Sequence, residues 1–558
     1  MKHNKINKKI IKILILLLVL LMCIIEIVDV YKCSKYYEDD PLKIPRKTIK
    51  SIELSKKDYK NDFEYLWDII CKSMPVVEKY KDSYNYNILN NKEKYEKKLN
   101  SIQNDYEFNC FVTGVLNDIP SIHTGFARHD YDGIFNASFF LSNKVRTDPE
   151  LYCMTSLWDE ECKNSVEMYD KHHSIAFSYV DGKYFFNNMY SYDECYGYEL
   201  LEINEKPVDD FILSVLSAYK LSYDFKHDKL YRPMLFFNNG VGEKSKLTIL
   251  GEDGTKKYVD TYFSTEYEFA VCCYSDKSQK NKSTQLVEDY FIKLIDENIL
   301  YCRIDNFSNK FGTDLYKKLR EHCFAEDMSV ILDMRYNGGG YIDYGVKNIY
   351  PVLYSENILV KDKEYLYHSF ATREIYSVLH SGLYGYLNMQ EMGFKKQVQD
   401  GDLLDFENYK NYFFSYEEEF LYKGLNEYAP DIYILISHNT ASAADHFVSD
   451  VSQSSQTTII GENTGGEKMG GQVMGILPNS KLVFSFYPEI YFNDDGTINS
   501  IYGTKPDIYS CLSVDDFLKR DKMCLENKEI DIFDYDNRMI WDTVLKDTMK
   551  LIKNKKNY

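Results

Sequence analysis

Four short apolar runs in the C-terminal half constrain this chain more than any other feature. Ile299-Leu300-Tyr301-Cys302-Arg303-Ile304, Met328-Ser329-Val330-Ile331-Leu332-Asp333-Met334, Asp431 to Ile436 and Thr457-Thr458-Ile459-Ile460 each have the length and β-branched content of a strand. The second leads into Gly338-Gly339-Gly340, the third into Thr440-Ala441-Ser442-Ala443, and the fourth into Gly461. Strands alternating with helices, with glycine-rich or small-residue turns at their ends, predict an α/β domain.

The rest of the chain has a different character, and its 558 residues suffice for about three to five domains. Residues 50–120 carry apolar positions at helical spacing, such as Phe63, Leu66, Trp67 and Ile70, and predict a helical N-terminal region. From 175 to 266 short apolar runs are punctuated by Gly182, Gly197, Gly251 and Gly254. Within them, Gly197 to Val208 reads as two strands about a polar turn and resembles part of a PDZ-type domain. The expected organisation is therefore multidomain: 1–30 a signal anchor or signal peptide, 31–165 a linker and helical region, 170–275 a PDZ-like segment, 286–512 an α/β core, and 513–558 a helical tail.

The N-terminus carries Lys2, Lys5, Lys8, Lys9 and Lys12 ahead of an apolar run from Ile13 to Ile25. A basic flank before such a run is a secretory signal or anchor pattern. Counting Ile10 to Val30 reaches the ~20 residues of a bilayer span, and no A-x-A-like cleavage site follows. The expectation is an uncleaved anchor with the membrane as partner and the remaining chain outside the cytoplasm, or secretion if the segment is removed. The net charge of −19 argues against nucleic acid as a partner, because phosphates need a basic face. None of the thirteen cysteines falls into a metal-ligand spacing, and neither a metal nor a cofactor is expected.

Three strand-end motifs carry the chemistry. Asp333-Met334-Arg335-Tyr336-Asn337-Gly338-Gly339-Gly340 places glycines after a buried strand, where N–H groups can turn toward a ligand. No Gly-Lys-Ser/Thr follows, so it is not a phosphate loop. Thr440-Ala441-Ser442-Ala443-Ala444-Asp445 has two readings. Ser442 with Asp445 matches a capping box, yet the same bend would expose a nucleophilic hydroxyl beside the Ala443 N–H. The third motif is Gly461-Glu462-Asn463-Thr464-Gly465-Gly466, with Gly503-Thr504-Lys505-Pro506-Asp507 further on.

In this order the set resembles the tail-specific (C-terminal-processing) serine peptidases and their tricorn-like relatives, with Asp445 in place of the family's glutamate. The resemblance covers about 290–510 well and the PDZ-like part more loosely. It implies a ClpP/crotonase-like core, polypeptides as substrates, and an acyl-enzyme formed on Ser442. Ala443 and Gly339 would supply oxyanion N–H groups, while Asn337 and Arg335 fix the turn.

The general base has two candidates. Asp118-Ile119-Pro120-Ser121-Ile122-His123-Thr124-Gly125-Phe126 resembles an element of the tricorn-like branch and offers His123. The branch that uses lysine has it where this chain has Glu467, with Lys468 one residue late. The acid of the histidine branch falls on Ser500, so the group orienting His123 is open between Ser121, Ser500 and others. The alternative to a peptidase is a catalytically inactive peptide-binding protein that retains the fold.

Overall fold

The computed structural model describes residues 51–77, 87–119, 121–126, 154, 157–158, 174–188, 196–215, 221–240, 242–264, 290–307, 312–322, 327–367, 413–468, 473–527 and 530–556. It begins with three helices: α1 (Lys56–Ser73), α2 (Lys92–Ser101) and α3 (Asp105–Asn117). Ser55 starts α1 through a capping box with Asp58, and the Asn104 side chain caps α3. Tyr59, Phe63, Leu66, Trp67 and Ile70 recur every three or four residues along α1 and are all buried.

That stripe packs against Phe108, Phe111 and Val115 of α3. It also meets Leu477, Leu482, Phe484 and Phe486 of an antiparallel hairpin built from Val473–Ile476 and Val483–Phe486. Burial of each large side chain contributes roughly 1.5–3 kcal/mol. A polar anchor fixes the register. Asp62, fully buried on α1, accepts hydrogen bonds from Asn479 N–H (2.8 Å), Asn479 Nδ2 (2.8 Å) and Ser480 N–H (2.7 Å) at the hairpin turn. Gly125–Phe126 adds antiparallel to the same hairpin, with Gly125 opposite Ser485, so the segment carrying His123 is held by it.

Strands between Ser174 and Phe263 form a seven-stranded sheet over their own apolar core. The hairpin read from the sequence is present: Glu199–Ile203 returns as Lys206–Pro207 through Asn204 and Glu205, whose φ values of 52° and 63° belong to a type I′-like turn. The helix Val208–Val215 follows directly.

The core sheet has six strands in sequence order: β1 (Tyr290–Asp296), β2 (Ile299–Ile304), β3 (Ser329–Asp333), β4 (Asp431–Ile436), β5 (Thr457–Gly461) and β6 (Ile508–Tyr509). Only the β1–β2 pair is antiparallel. The four apolar runs of the sequence are β2 to β5, and their centres are apolar on successive residues because both faces are covered. On one face Leu300, Val330, Leu332, Ile432 and Ile434 meet Phe447 and Val448 of α4 (Ala443–Val451). The C-terminal residues form α5 (Val514–Glu526), α6 (Tyr535–Trp541) and α7 (Thr543–Lys556). Tyr535, Val544, Leu545, Met549 and Ile552 from the last two cover the other face, over Tyr301, Ile331, Tyr433, Leu435 and Ile460.

Four buried charges lock these layers together. Arg335 donates to both Asp333 oxygens (2.9 and 2.7 Å) and to both Asp542 oxygens (2.8 Å each). Arg538 reaches Asp333 (2.9 Å) and Asp542 (2.8 Å), and donates to the Tyr301 hydroxyl (2.9 Å), which itself donates to Asp333. Burial raises the Asp333 carboxyl, but Arg335 and Arg538 outweigh it and hold the group well below the usual carboxylate range. The same balance lowers Asp542.

The expectation of membrane anchoring is corrected. Among the described residues no helix is long and apolar enough to cross a membrane, and the stretch 1–30 on which the reading rested lies outside them. The membrane as partner and the location derived from it are dropped.

Replacing Arg538 by Met leaves Asp333 and Asp542 sharing one guanidinium in a dry site. The expected loss is about 3–5 kcal/mol, read as a lower urea midpoint. Because both carboxyls have folded pKa values below their unfolded ones, the stability they contribute is present above the ordinary carboxylate range. It is lost as pH falls through the lower folded values. Arg538→Met should therefore move acid unfolding, followed by circular dichroism, to higher pH.

Candidate active site

Two loops that leave adjacent parallel strands build the centre of the site. After β4, Ser437 Oγ donates to Arg335 O (2.6 Å) and Thr440 Oγ1 donates to Met334 O (2.8 Å). Ala441 N–H donates to Asn337 O (3.1 Å), so the β4 loop is stitched along the β3 loop just before Ser442. Ser442 then enters α4 with φ 55° and ψ −129°, a conformation that strains any residue but glycine. Its N–H donates to Gly466 O at 3.0 Å.

This geometry answers the question the motif raised. Ser442 stands at the N-cap position of α4, but its side chain makes no capping hydrogen bond. Asp445 does not reach back either; it is buried and accepts from Thr464 Oγ1 and Asn499 Nδ2 (2.9 Å). The bend presents the hydroxyl instead of using it locally. It resembles the strained strand-to-helix turns on which nucleophilic serines sit.

The glycine turn closes against this bend. Gly339 has φ 102°, and a Cβ there would lie 2.8 Å from Ser442 Cβ and 2.9 Å from Ala443 N, so no larger residue fits. Asn337, fully buried, holds the turn by accepting the Gly339 N–H on Oδ1 at 2.9 Å. The Gly339 N–H assigned to the oxyanion is thus already engaged by Asn337. The Ala443 N–H makes no hydrogen bond among the described residues and opens the helix beside Ser442.

His123 arrives from the other end of the sequence. Its ring packs on Tyr487, with centroids 5.6 Å apart, and its Nε2 lies 3.9 Å from Glu467 Oε2. Burial lowers the imidazole to about 4, against a smaller opposing effect of Glu467. The ring nitrogen Nε2 makes no hydrogen bond of normal geometry among the described residues. Lys468 Nζ donates to Ser449 Oγ at 3.3 Å. Ser449 is seven residues beyond Ser442 on α4, on the order of 10 Å along the axis.

Ser121 and Ser500 line one cavity with His438, Glu462 and Asp224, between the 221–231 segment and the core loops. Neither hydroxyl makes a hydrogen bond of normal geometry, so neither holds the imidazole. His446, the other histidine near Ser442, is fully buried and faces Asp450 at 3.2 Å. Glu467 faces His123. Sequence reading took it only as the wrong residue at a lysine position, and nothing local signals its contact with a partner 344 positions away.

Comparison with known proteins agrees with this architecture. Residues 298–510 match the model of peptidase family S41. Among solved structures, the chain is similar to mature CPAF, with a TM-score of 0.50 at 14% identity over 89% of this chain and 98% of that one. CPAF complexed with lactacystin gives 0.49 at 14% identity over 89% and 99%, and the tricorn protease 0.33 at 12% over 89% and 37%. The first likeness shows a shared fold; the other two scores carry no further argument. No curated protein matches the sequence. The matched region gives a family-level link to the S41, tail-specific peptidases and supports a peptidase function.

The strain at Ser442 has a measurable consequence. Ser442→Gly removes a side chain from a positive-φ position and should raise the thermal midpoint, by a free energy of about 1 kcal/mol. Ser442→Ala keeps the strain and should leave the midpoint near that of the parent.

Proposed function

We propose that the protein is a serine-type endopeptidase that hydrolyses polypeptides through an acyl-enzyme on Ser442, within the histidine-using, tricorn-like branch. The observation that carries this reading is the Ser442 bend itself: a strained, uncapped serine at a helix start, wedged against Gly339 and beside an open Ala443 N–H. Ser442 Oγ attacks the scissile carbonyl carbon as its proton passes to the His123 imidazole. The developing oxyanion is met by the Ala443 N–H and the positive end of α4. His123 then gives the proton to the departing amine, and water cleaves the ester by the same path in reverse. The β-rich segment at 170–275 is read as PDZ-like, presenting the polypeptide to a ClpP/crotonase-like core at 286–512.

A second reading has a specific observation behind it. Ser500 stands at the acid position of the family pattern. That departure fits a peptide-binding protein that retains the fold without the reaction. One experiment separates the two. Full-length protein should cleave an unfolded test protein and react with a fluorophosphonate at Ser442, and Ser442→Ala should lower both by at least roughly 10³-fold with an unchanged circular dichroism spectrum. Peptide binding without labelling of the native protein would select the second reading.

A further inference from the structure

Glu467 faces the His123 ring at ion-pair rather than hydrogen-bond distance, although it stands where the lysine-using branch has its base. Its side chain is 1% exposed. Oε2 accepts the His123 N–H at 2.8 Å and lies 3.9 Å from Nε2 of the same residue, so one oxygen faces both the backbone and the ring. The Ser121 hydroxyl and the Ile122 N–H face the carboxylate too, while Oε1 has no hydrogen-bond partner. Two covalent neighbours fix its position. Gly466 O accepts the Ser442 N–H, and Lys468 N–H donates to Asn499 Oδ1 (3.0 Å). Glu467 itself holds φ 54°, at a cost of roughly 1–3 kcal/mol for a non-glycine residue.

Resting on the assignment of Ser442 and His123 above, we propose that Glu467 is the positioning carboxylate of His123, orienting its imidazole and stabilising the imidazolium formed when Ser442 is deprotonated. It would take over the task that the resemblance places at Ser500. No acid is missing from the site; it is supplied from the loop after β5 whose Gly466 carbonyl accepts the nucleophile's own N–H.

The electrostatics give this arrangement a pH signature. Burial raises the Glu467 carboxyl to about 8, opposed by Ser121 and by the His123 and Ile122 N–H groups, and burial lowers His123 to about 4. Between those values the carboxyl is protonated and the ring neutral. The form with an ionised carboxylate beside a neutral imidazole, the one able to accept the serine proton, gains population as pH rises toward 8. The other titratable groups nearby are Tyr487, against the ring, and Lys468, whose ammonium is directed to Ser449 and the Asp445 side of α4. A residue that merely accepted a loop hydrogen bond would be replaced by glutamine without changing this profile.

The test follows fluorophosphonate labelling of Ser442 against pH in the full-length protein, beside Ser442→Ala, His123→Ala, Glu467→Gln and Glu467→Asp. The expected result is a labelling rate that rises with a midpoint near pH 8 in the parent. In Glu467→Gln the maximal rate should fall by roughly 10²–10⁴-fold and the midpoint should move to lower pH. Glu467→Asp should restore the alkaline midpoint at a reduced rate. A Glu467→Gln variant with parental rate and profile, or one slowed equally at every pH, would overturn the proposal while leaving Ser442 and His123 in place. Labelling that survives Ser442→Ala would instead overturn the underlying assignment. A second readout needs no activity: with ¹³C-histidine labelling, the His123 resonance, assigned by its loss in His123→Ala, should shift in a step near pH 8 that Glu467→Gln abolishes. No such step in the parent also overturns the proposal.

Discussion

The buried pairing of Asp333 and Asp542 with Arg335 and Arg538 is the interaction on which the rest of the site depends. Replacing such a network by apolar residues of similar volume often leaves a protein no less stable, so stability alone does not explain it. What it supplies is direction. Arg335 is held from two sides at the end of β3, and its carbonyl oxygen then receives Ser437 Oγ from the neighbouring loop. Two residues on, Asn337 receives Ala441 N–H on its backbone oxygen and holds Gly339 N–H on its side chain. Each link is a single hydrogen bond, but the chain of them starts from a point that cannot drift. Ser442 inherits that fixity, which is what keeps a strained backbone angle populated.

The proposed base is positioned by a separate logic. His123 belongs to no element of the core sheet. It is carried by three helices and a two-residue strand whose attachment runs through the 473–486 hairpin and the buried carboxylate of Asp62. The two halves of the proposed machinery therefore meet across a packing interface. Glu467 touches both, through its side chain on one side and the adjacent Gly466 carbonyl on the other.

Legibility in the sequence followed burial and locality. β2 to β5 were readable because a strand covered on both faces leaves an uninterrupted apolar run, and the Asn204-Glu205 hairpin because its residue types suit a positive-φ turn. The family motifs located Ser442, but the capping-box pattern misdirected: Asp445 obeys the spacing and ignores the role, drawn away by Thr464 and Asn499 from distant segments. The stretch 513–558 reads as a helical tail, but its sequence does not show what its apolar faces cover. Only the fold shows that Arg538 is fully buried and that Leu545 and Ile552 close the sheet. Glu467 was unreadable for the simplest reason: its meaning lies in a residue 344 positions earlier.

The span of the central ion network has a temporal consequence. Arg335 is bonded to a carboxylate 207 positions further along the chain, and the second face of the sheet is closed by residues of the same late region. During synthesis, Asp333 and Arg335 emerge long before either Arg538 or Asp542 exists, and sheets that depend on such distant contacts form slowly. The nascent chain thus carries the Ser442 bend for a time without the ion network that anchors the β3 end of its hydrogen-bond chain. The bend reaches its final setting only once Arg538 and Asp542 have joined the sheet.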